Sequence, residues 1–540
     1  MTGVDDVEIK KSSIAGAGNG VFAKKDFEPG DIVLSVSRPY ITELDMERLE
    51  DSCAWCCSRA ALDPTERVKS RQMGLPAGFV EVKACTGCQK IKYCSKSCQA
   101  KHWKEHKYEC KVLAPADRPP LPHGVRATLK LLKKIQAGDE APKGILLLDS
   151  KLDEVKQSDP EVYEEYSTMA WGAWNFAEKP SKADVGVARH LFFAVNCNAL
   201  TLSSPLDDAN IGIGFDPLIC TVNHSCDPNV FFIFNCPRTL LRARKPIKSG
   251  EEIFTRYRDT TNPFTVRQGD LKDGYYFTCT CSKCAKGPEL SEDKFARPID
   301  TLDPAWSSKA DAMLRDPEAE RIDFSWYKVG DNGEVAERRM TAMQAEAFRP
   351  WAAMKGLRHQ FHGQVPRIEL SDLREALRLC LESGMWSLQR QPVPHLLRGM
   401  FGAYMAQGEI EKCLKVGMKK HFLVDPLLHP EAFDYERVID SYALMNVATA
   451  FSTPAKQVEA EKLGKEGCDT RMLFLGLLAE IWDALPKSYG IDSPLGQVVS
   501  LVWKTCVGDM QAVPRELTKQ KRTAWPALKA YAEQIDLMKL

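Results

Sequence analysis

Residues 223–229 read Asn-His-Ser-Cys-Asp-Pro-Asn, a run of polar and thiol side chains set between short apolar stretches. Downstream come Val230-Phe231-Phe232-Ile233-Phe234 and Leu240-Leu241, both β-like. Lys248-Ser249-Gly250-Glu251 then punctuates the chain before Glu252-Ile253, and Tyr257 follows. A matching punctuation stands far upstream, where Glu28-Pro29-Gly30-Asp31 separates Val21-Phe22 from Ile32-Val33-Leu34. Pro before Gly suits the centre of a type II turn, because glycine takes the positive φ there. Short strands are therefore expected over residues 7–45 and 190–260.

A chain of 540 residues is too long for one hydrophobic core, so two to four domains are expected. Lys plus Arg equals Asp plus Glu at 73 each, so global charge gives no argument for a nucleic-acid or membrane partner. The opening MTGVDDVEIKKSS lacks the apolar run of a signal peptide, and no stretch reaches the roughly 18 apolar residues of a membrane span. Cysteine carries more information. Fifteen of the 19 cysteines lie at or before residue 284. An odd total with no secretion signal points to a reducing compartment, where clustered thiols hold metal rather than disulfides. The scattered Cys197, Cys220, Cys236, Cys380, Cys413, Cys468 and Cys506 read as small buried apolar residues.

Residues 53–110 show little hydrophobic periodicity but eight potential ligands: Cys53, Cys56, Cys85, Cys88, Cys94, Cys98, His106 and Cys110. Seven thiols and one imidazole in close pairs can hold two tetrahedral zinc ions. Cys57 could stand in for Cys56. The 28 residues between Cys56 and Cys85 require an extruded loop. Eight lysines between Lys83 and Lys111 suggest a nucleic-acid surface. Seven thiolates around two zinc ions carry about three net negative charges, which offsets half of that excess and favours a solvated face or a peptide-binding module.

With Tyr93 before Cys94, Gln99 after Cys98 and Trp103 three before His106, this segment resembles the MYND zinc finger. That resemblance implies interleaved sites: Cys53, Cys56, Cys94 and Cys98 on one ion, Cys85, Cys88, His106 and Cys110 on the other. Asn-His-Ser-Cys-Asp-Pro-Asn at 223–229, Gly-Glu-Glu-Ile at 250–253, Tyr257 and Cys279-x-Cys281-x2-Cys284 resemble the SET lysine methyltransferases. With a MYND module inserted, the chain is similar to the SMYD family over about residues 10–285. The expected fold is α+β and multidomain. It comprises a β-rich SET fold with a pseudoknot over 1–50 and 190–262, a MYND finger over 51–111, a helical insertion over 112–189, a zinc-bound post-SET segment over 263–287 and an all-α, tetratricopeptide-like domain over 288–540.

The same resemblance implies a protein-lysine methyltransferase that uses S-adenosylmethionine and three zinc ions, acting on lysines of histone or other proteins. Gly18, Asn19, Gly20, Asn198, Asn223, His224 and Phe277 would contact the cofactor. Tyr257 would be the catalytic tyrosine, and Tyr275 would line the lysine channel. Cys226 with Cys279, Cys281 and Cys284 would bind the third zinc, pinning the post-SET segment by folding rather than by Lewis-acid chemistry. Methyl transfer from a sulfonium is an in-line displacement, so the protein positions the reactants and excludes water. Arg256 and Leu200 depart from residues common at these positions, which keeps open a SET/MYND adaptor or transcriptional regulator without turnover. The MYND module implies proline-rich peptide partners; residence in the nucleus, the cytoplasm or both is expected, and neither nucleic acid nor membrane is expected as a partner. The run Gly16-Ala17-Gly18-Asn19-Gly20-Val21 does not read as a dinucleotide-binding turn, since Val stands sixth and no βαβ unit follows.

From 111 to 190 the pattern turns helical, with Val125, Leu129 and Leu132 on one stripe and lysines between them. The residues 286–310 read as a linker. Beyond it, Ile410, Cys413, Leu414, Gly417, Met418, His421 and Phe422 form one apolar stripe over 409–424, ended by Asp425-Pro426. Segments 372–387, 394–407 and 434–450 have similar lengths, which suggests stacked helix pairs. His421 on that stripe reads as a satisfied core histidine.

Overall fold

The structure, a computed structural model, describes residues 4–14, 16–59, 81–139, 142–146, 148–203, 210–262, 264–287, 369–382 and 388–540. The expected extruded loop and linker fall largely outside these residues, as does the end of the 372–387 helix. The chain divides into two compact units. One comprises residues 1–255, 274–276 and 486–500; the other comprises 256–273, 277–485 and 501–540.

Among the described residues the first unit has twelve short strands: β1 (Val7–Lys11), β2 (Asn19–Ala23), β3 (Ile32–Val36), β4 (Ile41–Leu44), β5 (Lys83–Ala84), β6 (Lys92–Tyr93), β7 (Leu200–Ser203), β8 (Asn210–Phe215), β9 (Asn223–His224), β10 (Val230–Asn235), β11 (Arg238–Ala243) and β12 (Glu252–Thr255). They form sheets ordered β1-β2-β12-β9, β10-β11-β3, β4-β8-β7 and β5-β6. In the first sheet Ile253 faces Val21, and Thr255 runs parallel beside His224. Residues more than two hundred positions apart thus become neighbours on one sheet.

Both expected turns form. Asp31 N donates to Glu28 O at 2.9 Å and Glu251 N to Lys248 O at 3.0 Å, with Gly30 and Gly250 at φ +93° and +88°. Val21, Val33, Leu34, Leu241, Ile247 and Ile253 pack into the core between these strands. Helices His123–Gln136, Pro160–Phe176 and Val185–Asn198 supply a second core with Leu129, Leu132, Leu191 and Val195. The expected apolar stripe is there, but Lys130 on the same helix is fully buried rather than solvated. A lysine inside a core needs anionic partners, and it has two, described below.

The second unit is helical. Its helices include Leu370–Glu382, Val393–Gln407, Ile410–Leu423, Tyr435–Ala450, Thr470–Ala484 and Arg515–Gln534. The Ile410–Leu423 helix buries Cys413, Leu414, Met418 and Phe422 as its stripe requires. Short connections make neighbours of successive helices: Gly408, left-handed at φ 74°, joins Val393–Gln407 to Ile410–Leu423, and Asp469 caps the Thr470 helix through Met472 N at 2.9 Å. His421 is satisfied as expected: Ser441 Oγ lies 3.3 Å from Nδ1 and Glu480 Oε2 3.3 Å from Nε2. None of the described helices is long and apolar enough to cross a membrane.

Candidate functional site

Two ligand sets assemble in the finger. Cys53, Cys56, Cys94 and Cys98 come together, as do Cys85, Cys88, His106 and Cys110, with the ligand atoms of each set within 4.8 Å of one another. Ligands about 2.3 Å from a tetrahedral zinc stand about 3.8 Å apart. The Cys56–Cys94 and Cys94–Cys98 sulfurs are each 3.5 Å apart, the Cys85–Cys110 sulfurs 3.9 Å, and Cys88 Sγ is 3.5 Å from His106 Nε2. The donor sets therefore fit zinc. They interleave because Cys94 and Cys98 lie at the start of helix Lys96–His106, capped by Ser95, while His106 lies at its end.

Cys57 is not a spare ligand. Its sulfur is bonded to Cys236, at the tip of the β10–β11 hairpin. This decides the open alternative in favour of Cys56 as the ligand, and corrects the reading of Cys236 as a lone apolar residue. Cys57 is left-handed at φ 55°.

Behind His106 lies a cluster that sequence patterns do not reveal. Glu109 Oε1 is 3.0 Å from His106 Nδ1. Lys130 Nζ is 2.9 Å from Glu109 and 2.7 Å from Glu43, and Arg126 reaches the same two carboxylates at 3.0 and 2.7 Å. All four charged side chains are at most 1% exposed. Burial pushes the Glu109 carboxyl up, but Lys130, Arg126 and His106 outweigh it and hold it well below the usual range. At Glu43 burial wins over Lys130 and Arg126, so that carboxyl is raised. One signal does point to it: a metal-bound histidine needs an acceptor for its second ring nitrogen, and Glu109 stands three residues after His106.

In the sheet β1-β2-β12-β9 three of the candidate cofactor residues, Asn19, Gly20 and Asn223, meet at Glu252. Asn223 Nδ2 donates to Asn19 O and to Glu252 Oε1, both at 2.9 Å. Ser12 Oγ and Ser13 Oγ donate to the Glu252 oxygens at 2.8 and 2.9 Å. A Cβ on Gly20 would stand 2.1 Å from Glu252 Oε1 and 3.1 Å from Asn223 Nδ2, so only glycine admits this node. Nothing lies within 4 Å of the Cβ position at Gly18. The backbone there is bare and open. His224 is buried, with Nε2 3.3 Å from Cys226 Sγ. Asn198, the last residue of its helix, donates to Asp149 O and Ala194 O at 2.8 Å and accepts from Cys220 Sγ at 3.2 Å. Leu200 opens β7 and packs against the strand core. Glu252 is the second organiser that the sequence reading misses, although it stands inside the Gly-Glu-Glu-Ile run.

Tyr275 is half-buried at the end of helix Phe264–Tyr275, in the first unit. Tyr257 and Phe277 belong to the second unit, with their rings edge to face at 6.5 Å. Cys279, Cys281 and Cys284 also sit there, their sulfurs within 4.8 Å of one another. Gln268 holds that segment by accepting from Cys279 N at 2.9 Å and donating to Cys279 O at 2.8 Å.

Residues 18–258 match the SET domain. Human "Histone-lysine N-methyltransferase SMYD3" is 27% identical over 333 residues, covering 60% of this chain and 71% of that protein. Arabidopsis thaliana "Histone-lysine N-methyltransferase ASHR1" is 26% identical, covering 57% and 61%. Danio rerio "N-lysine methyltransferase SMYD2-B" is 33% identical over 204 residues, covering 37% and 47%. The chain thus spans between about half and seven-tenths of these relatives. A SET domain interrupted by a finger with two four-ligand sets, together with these relatives, supports the resemblance to the SMYD family.

Proposed function

We propose that the protein is a lysine N-methyltransferase that takes its methyl group from S-adenosylmethionine and modifies lysine side chains of histone or other proteins. The observation that carries this reading is the Glu252 node, where residues 12–13, 19–20 and 223 meet around one carboxylate in a domain of SET type. By family resemblance Gly18, Asn19, Gly20, Asn198, Asn223, His224 and Phe277 hold the cofactor, whose sulfonium supplies an electrophilic methyl group. Tyr257 orients the substrate amine, and Tyr275 lines its channel. The amine must arrive neutral, so these aromatic rings serve by excluding water rather than by acting as a strong base. Two zinc ions in the finger are structural, since each set already supplies four protein ligands. A third is assigned to Cys279, Cys281 and Cys284, with Cys226 as its fourth ligand. The finger presents a face for proline-rich peptides.

The test is methyl transfer from labelled S-adenosylmethionine to a histone mixture and to cell-extract proteins, with Tyr257→Phe as control. Incorporation by the wild type that drops at least a hundredfold in the variant supports the reading. Cofactor binding with equal silence of both proteins on every substrate would instead identify a SET/MYND adaptor.

A further inference from the structure

Where the SET strands end, the chain joins the helical unit: residues 256–273 belong to it rather than to the sheets. Three side chains in six residues tie this stretch to the rest of the helical unit. The Arg256 guanidinium donates to the Glu436 carboxylate and to the Tyr435 hydroxyl, and lies over the Tyr435 ring at 5.3 Å. Asp259 Oδ2 is 3.0 Å from His395 Nε2. Thr261 Oγ1 accepts from Gln391 Nε2 at 2.8 Å. Tyr257 sits inside this stitched stretch, next to its strongest anchor.

The Glu436 end is itself fixed. It lies in the first turn of helix Tyr435–Ala450, where its own amide donates to the capping Asp434 Oδ1 at 3.0 Å. Its second carboxylate oxygen is 3.1 Å from His429 Nε2. Arg256 and Glu436 retain only 22% and 20% of their side-chain exposure, so water screens this pair far less than a surface pair. A guanidinium held by a carboxylate, a hydroxyl and an aromatic face has little freedom. The backbone one residue away inherits that constraint.

We propose that Arg256 is a positioning residue for methyl transfer, its pairing with Glu436 fixing the segment that carries Tyr257. Helices of the second unit then hold the stretch that carries Tyr257, and the residue whose chemistry hints at a degenerate enzyme supports turnover instead. This rests on the methyltransferase reading. Displacing a catalytic group by about 1 Å costs on the order of a hundredfold in rate.

The experiment measures kcat, KM for both substrates and amide exchange over residues 256–262 in the full chain. Glu436→Gln and Arg256→Met are expected to lower kcat at least tenfold, leave KM for S-adenosylmethionine within twofold, and speed exchange over 256–262 at least tenfold. Exchange over β2 should stay unchanged. Arg256→Lys, and the reversed pair Arg256→Glu with Glu436→Arg, should recover part of kcat. A kcat within twofold of wild type in both single variants overturns the proposal, as does faster exchange that extends equally into β2. Should the wild type and Tyr257→Phe prove equally silent, the methyltransferase reading fails separately. Exchange over 256–262 in Glu436→Gln then decides the tether alone: a rise supports it, and no change removes it.

Discussion

The finger and the helical unit solve the same problem with opposite chemistry. Between residues 81 and 113 few large apolar side chains are buried, chiefly Ile91, Tyr93 and Leu113, and order comes from thiol clusters and from four buried charges. In the helical unit Leu414, Met418, Leu444, Leu473, Leu477 and Leu478 are at most 1% exposed, and ordinary apolar burial does the work. The first region is held by a few strong, removable interactions, and the second by many weak ones. The two should fail differently.

Zinc removal is the harshest break. Structural zinc contributes on the order of 10 kcal/mol or more per ion to the fold of a small finger. Prolonged chelation should release about three zinc ions per chain by the assignment above and abolish exchange protection over the described finger residues 81–113. Residues 410–484 should keep theirs. Protection that persists in the zinc-free finger would show that its fold does not need the metal.

The charge cluster should break next. Lys130→Met leaves Glu43 and Glu109 buried with one cation between them, and destabilisation by about 3–5 kcal/mol is expected in urea unfolding. Adding Glu43→Gln should recover much of it, because charge balance rather than any one contact is what the core requires. Glu109→Gln should weaken zinc retention at the Cys85, Cys88, His106 and Cys110 site about 10–100-fold, the usual effect of losing the acceptor behind a metal-bound histidine. Equal stability of Lys130→Met and wild type would break the comparison.

In the helical unit, Leu477→Ala removes one of many contributors. Loss of about 2–5 kcal/mol is expected there, with zinc content unaltered. A variant that also sheds zinc would show that the two regions are not energetically separate.

This contrast also explains what is legible in the sequence. Ligand spacing is local and chemically specific, so the thiols from Cys53 to Cys110 announce a metal-built module by their spacing alone. The Ile410–Leu423 stripe and the turns at Gly30 and Gly250 are likewise written in short-range patterns. The burial of Lys130 is not legible there, because periodicity reports where apolar residues lie, not what a cation meets across the fold. Glu43, Glu109 and Arg126 come from separate elements, and Glu252 gathers partners more than two hundred residues away. Cys57 and Cys236 stand 179 residues apart, beyond any spacing rule. Arg256 shows the same limit: in the sequence it is only a departure from a motif, and its partner lies 180 residues further on.

The smallest expected effect concerns His429, one of the buried charged groups of the helical unit. Burial lowers its affinity for a proton, but Asp434 and Glu436 outweigh burial and raise its pKa to about 10. An unfolded histidine titrates near 6.5. The folded state therefore binds the proton more tightly, and this contribution is complete below about pH 6.5 and lost as pH rises toward 10. Its size should be about 1.5–3 kcal/mol, as for hydrogen bonds to charged groups. His429→Gln should accordingly lower the urea midpoint at which residues 425–450 lose exchange protection at pH 6, and match wild type near pH 10. The difference between the two curves isolates this histidine from the lysines and tyrosines that titrate in the same alkaline range. A difference that stays constant from pH 6 to 10 would mean that His429 acts through packing alone, leaving the charge logic confined to the finger side of the comparison.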